Sequence, residues 1–98
     1  MPQLTLRLGR VFREQVKTLR ERDAALCSLV VRAASSLPSN AESPLDTIAL
    51  MPPDGREYFT RRVPNKNVWI WYRVVGLEVV VNRVSETPPV PTYSDDDG

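Results

Sequence analysis

Between Tyr58 and Val84 the chain reads YFTRRVPNKNVWIWYRVVGLEVVVNRV. Three short runs rich in Val, Ile, Trp, Tyr and Phe are separated by Pro64-Asn65-Lys66-Asn67 and by Val75-Gly76. Such side chains suit a pleated, half-buried surface, and connections this short permit only antiparallel hairpins. The pattern predicts a three-stranded antiparallel meander. Upstream, Leu4, Leu6 and Leu8 alternate with polar residues over Gln3–Leu8 and predict one further strand, ended by Gly9.

From Arg10 to Arg22 the period changes. Phe12, Val16 and Leu19 recur at helical spacing, with Arg13, Lys17 and Arg20 on a separate stripe. Asp23 is a good N-cap for a second helix, from Ala24 to about Leu37, whose apolar face carries Leu26, Leu29, Val30, Ala33 and Leu37. Pro38 is expected to stop it. The near-zero linker implies a tight antiparallel helix pair. Residues 38–55, PSNAESPLDTIALMPPDG, read as a long irregular connection pinned to the core by Leu45, Ile48, Leu50 and Met51. The expected class is therefore α+β: an N-terminal strand, an antiparallel helix hairpin, then a three-stranded meander packed on the helices. Residues 1–86 form one domain in this reading, and 87–98 a proline-rich, acidic, flexible tail.

Alternation also sorts the central strand into two faces. Val68, Ile70, Tyr72 and Val74 share one, which is expected to meet the helices; Trp69, Trp71 and Arg73 share the other. A single helical layer leaves that second face exposed. Paired exposed tryptophans point to a partner, unless the tail or the 38–55 connection folds over them.

Composition narrows the chemistry. The chain has no histidine, which removes His-based acid–base catalysis, Ser-His-Asp and Cys-His nucleophile systems, and most zinc sites. Its one cysteine, Cys27, allows no internal disulfide and fits a reducing cytoplasm; beside the apolar face of the second helix, it is expected to be buried and inert. No metal or other cofactor is expected. No apolar run approaches the roughly 20 residues that a membrane span needs, so no membrane association is expected. The net charge of +1 hides a basic body: residues 1–37 carry seven Lys/Arg against three Asp/Glu, and residues 55–83 carry six against two. Acids without bases occupy 38–54 and 84–98. A basic body suits RNA or an acidic protein segment, although thirteen bases on a small surface also serve plain solubility.

The order strand, helix hairpin, irregular connection and meander resembles the RelE/ParE superfamily, small toxins of bacterial type II toxin–antitoxin systems. The resemblance is carried by FREQVKTLRERDAALCSLVVRAASSLP in the helices and by RRVPNKNVWIWYRVVGLEVVVNRV in the sheet, and spans about residues 3–86. It implies a cytoplasmic toxin bound by a cognate antitoxin in a hetero-oligomer, acting either on messenger RNA at the ribosome, as RelE-like members do, or on DNA gyrase, as ParE-like members do. RelE-like cleavage drives a ribose 2′-OH onto the adjacent phosphate, and needs a base and clustered cations. This chain departs from that pattern. Trp69 stands where the resemblance leads one to expect an arginine, and Ser85-Glu86-Thr87 after the last strand carries no base.

If the chain is an endoribonuclease, it works without histidine, and Arg62, Arg83, Glu86 and Tyr93 are its candidate catalytic groups. Arg61, Arg73, Lys66, Trp69 and Trp71 are candidates for RNA or partner binding, with Arg13 and Lys17 on the first helix. Arginines on one sheet face can converge on a phosphate, and indoles can stack on bases. The alternative from another class is a non-catalytic protein- or RNA-binding domain on the same scaffold. Lost histidine and the missing arginine favour it.

Overall fold

The fold rests on a strand, β1 (Thr5–Leu8), that pairs with the last strand formed, far along the chain. In this computed structural model residues 4–43, 46–51 and 55–90 are described. After β1 come α1 (Arg10–Arg22), α2 (Ala24–Ser35) and a single turn, α3 (Leu37–Asn40). Four strands follow: β2 (Thr47–Met51), β3 (Arg56–Arg62), β4 (Trp69–Val75) and β5 (Glu78–Ser85). They form a 5-stranded sheet in the order β1-β5-β4-β3-β2, antiparallel except for the parallel β1–β5 pair.

Asp23 caps α2 as its chemistry predicts, accepting the Leu26 N–H at 3.1 Å. Pro38 does not act as the expected stop. The break comes at Ser36, and Pro38 lies in the first turn of α3, where a missing N–H costs nothing. The connection expected to be irregular contains most of α3 and all of β2. The antiparallel meander therefore has four strands, with Thr47–Met51 paired against Thr60–Arg56.

The parity expected for β4 holds on the helix side. Ile70 and Tyr72 are fully buried with Phe12, Val30, Leu37, Val79 and Val81, and Val68 joins them. Cys27 lies in the same cluster, its thiol donating to the Val16 carbonyl at 3.5 Å. The outer face does not stay open. β2 extends the sheet so that Ala49 and Met51 close with Tyr58 over Trp71, making a second small core. At β4–β5 a bulge admits Asn82 as an extra residue: Trp71 faces Arg83 while Tyr72 faces Val81.

Candidate functional site

Adjacent residues on β3 go to opposite faces, and this decides what its two arginines do. Arg61 falls on the parity of Phe59 and points to the helix side, opposite Ile70. Its Nε donates to Asp46 Oδ1 at 2.7 Å and its Nη2 to Asp46 Oδ2 at 2.9 Å, with further bonds to the carbonyl and side chain of Asn40. The Asp46 side chain is 0% exposed and that of Arg61 only 14%. Tyr72 donates its hydroxyl to the same carboxylate and accepts the Glu42 N–H at 2.6 Å. Burial works to lower the Arg61 pKa, but the hydrogen bond and charge of Asp46 outweigh it and leave the guanidinium above its ordinary value. Burial, reinforced by the bond to Asp46, pushes the Tyr72 phenol well above its ordinary range. This cluster ties α3 and the segment before β2 to the sheet. It is a structural clamp, so Arg61 does not join the other arginines on one phosphate as expected.

Arg62 points outward. Its guanidinium lies 5.9 Å from the centre of the Trp69 ring, while its Nε donates to the Lys66 carbonyl at 2.7 Å and its Nη2 to Asn67 Oδ1 at 3.0 Å. It thereby braces the β3–β4 turn, where Lys66 is exposed and Asn65 takes a positive φ of 64°. Arg73 stands over the Tyr58 ring at 5.6 Å. The Arg83 side chain, opposite Trp71 in the ladder, makes no hydrogen bond or ion pair with any described residue, and its Nε is buried. Outward guanidinium groups thus come from three neighbouring strands.

Trp71 corrects a sequence expectation. It is only 6% exposed, packed edge-on against Tyr58 at 6.4 Å between ring centres, and its indole N–H donates to Ser85 Oγ at 3.0 Å. The cover is β2, which lies in the 38–55 segment named above as the alternative cover for the tryptophans, and is a strand rather than an irregular loop. Trp69 remains half-buried beneath Arg62. Glu86 is tied to Arg22 at 2.8 Å. Arg13 and Lys17 are exposed on α1 and belong to no cluster with the outer-face arginines. Tyr93 lies outside the described residues. Among those residues no group of His, Cys, Asp or Glu is placed to hold a metal ion, and no helix is long and apolar enough to cross a membrane.

The Asp46–Arg61–Tyr72 cluster escaped the sequence reading, yet parity carried a signal. Arg61 shares its face with Phe59 and Val63, and an arginine on a core face calls for a carboxylate.

No family model and no curated protein matches the chain. Solved structures do. A YoeB/ParE toxin from Agrobacterium tumefaciens superposes with a TM-score of 0.62 at 16% identity, over 83% of this chain and 95% of that one. The YoeB dimer from Staphylococcus aureus gives 0.59 at 15% identity, over 83% and 93%. With its strand order, helix hairpin and these two superpositions, the chain has the RelE/ParE-like toxin fold.

Proposed function

We propose that the chain is the toxin of a type II toxin–antitoxin pair and that it acts by binding its target rather than by cutting RNA. DNA gyrase, the ParE-like target, is the first candidate, and a cognate antitoxin is the neutralising partner. The fold supports the toxin reading. One observation carries the choice of mode: most of the groups proposed for RNA cleavage are already engaged by this chain's own residues. Arg61 is consumed by Asp46 on the helix side, Arg62 by the β3–β4 turn, and Glu86 by Arg22. Attack by a 2′-OH needs a free base near converging cations, and the Glu86 carboxylate is already held by Arg22.

Controlled expression in a bacterial host tests the reading. Growth arrest with intact messenger RNA, and loss of gyrase supercoiling by the purified protein, are the expected results. Ribosome-dependent cuts in messenger RNA that vanish in Arg62→Ala/Arg83→Ala would establish the RelE-like mode instead. Unimpaired growth would remove the toxin reading altogether.

A further inference from the structure

Where α2 ends, the helix layer and the sheet enclose a cavity of about 680 Å³. Leu29, Arg32, Ala33 and Ser36 recur at the spacing of one helix face and line it on one side. Val63 and Pro64, which follow β3, line it on the other. The walls are aliphatic, and Ala33 contributes only a methyl group to them. Among the described residues no aromatic side chain and no carboxylate lines the cavity.

Its charged groups are of one sign. Arg32 is exposed in the last turn of α2 and makes no hydrogen bond or ion pair with any described residue. Arg61 lines the cavity from the sheet, whereas its partner Asp46, fully buried, does not. The Arg61 N–H groups donate twice to Asp46 and twice to Asn40, and a guanidinium has one more to give. Asn40 lines the cavity too, and its side-chain N–H groups donate to no described residue. The clamp therefore presents donors to this space and keeps its carboxylate away.

We propose that the cavity binds a small amphiphilic monocarboxylate, a medium-chain fatty acid being the class that fits. The carboxylate lies between Arg32 and the Arg61–Asn40 edge, and the hydrocarbon chain packs on Leu29, Ala33 and Val63. Aliphatic walls with a few convergent polar donors suit such a ligand. Charge restricts the head group to a single negative charge. The carbonyl end of α2, at Ser36, brings partial negative charge to the cavity, and Asp46 already shares Arg61. Both weigh more heavily on a dianionic phosphate ester. A nucleotide base finds no ring there to stack on.

The test is a titration of the isotope-labelled full chain with decanoate, below its micelle concentration, followed by NMR. Decyl phosphate and decyltrimethylammonium serve as amphiphiles with other head groups. Saturable shifts centred on the Ala33, Asn40 and Val63 amides are expected with decanoate and not with the cationic amphiphile. Arg32→Gln, at an exposed position, should weaken binding about tenfold, the loss of one charge-assisted contact. Ala33→Leu keeps a good helix former but fills the space, and should abolish binding; if that variant does not fold, Arg32→Gln decides. Absence of saturable shifts at these amides, equal binding of the cationic amphiphile, tighter binding of decyl phosphate, or undiminished binding by Arg32→Gln or by folded Ala33→Leu would each overturn the proposal.

Discussion

Asp46 is the residue on which the polar interior turns. Its carboxylate receives Arg61 and Tyr72 together, and its side chain is fully buried. Asp46→Asn leaves a guanidinium buried without its counter-charge, and breaking such a pair costs about 3 kcal/mol. A urea denaturation midpoint well below that of the parent is the expected outcome. Tyr72 adds a pH signature. Its phenol is raised in the folded state, so the unfolded chain loses this proton first as pH climbs. The contribution is complete below the ordinary phenol value of about 10 and is lost progressively above it. Tyr72→Phe should flatten that alkaline decline; an unchanged profile would show that another group causes it. At this scale alternation revealed much. It put Ile70 and Tyr72 in the core and Trp69 on the other face. It did not reveal which arginine is structural, because treating Arg61 and Arg62 as one basic pair ignored their opposite parity.

Among the elements, the helices and the last three strands were legible because their periods are long and unbroken. β2 was not. Thr47–Met51 is short, its buried positions are Ala49 and Met51 rather than β-branched or aromatic residues, and Pro52 follows at once. Only pairing with β3 makes it a strand. That omission also misplaced Trp71, since β2 supplies its cover. The β1–α1 junction is tighter than the sequence suggests. A Cβ at Gly9 would stand 2.8 Å from the Val81 carbonyl oxygen, a backbone atom that cannot swing aside. Gly9→Ala should therefore destabilise by about 1–3 kcal/mol, the usual range for overpacking, seen as a lower melting temperature. Unchanged stability would mean that the two strands separate at little cost.

For the whole molecule, the toxin-like layout was readable from element order, while the candidate site was not, because its character comes from contacts between distant segments. The ion pairs Arg7–Glu78, Arg22–Glu86 and Arg61–Asp46 each join segments far apart in sequence. None of them reaches the outward guanidinium groups of Arg73 and Arg83. Association with an acidic partner should consequently slow as ionic strength rises.

The parallel β1–β5 pair has a consequence for synthesis. Thr5 is made early, yet its neighbour in the ladder is Glu78. While a ribosome is still extending the chain, the first ladder rung has nothing to zip against, and α1 lacks the strand end that Gln15 grips. Long-range pairings of this kind close late. Nascent chains arrested before residue 78 should be cut readily by protease within residues 4–22, and chains carried past residue 85 and clear of the tunnel should resist. Any surface that depends on the whole sheet would then form only after β5 has left the ribosome.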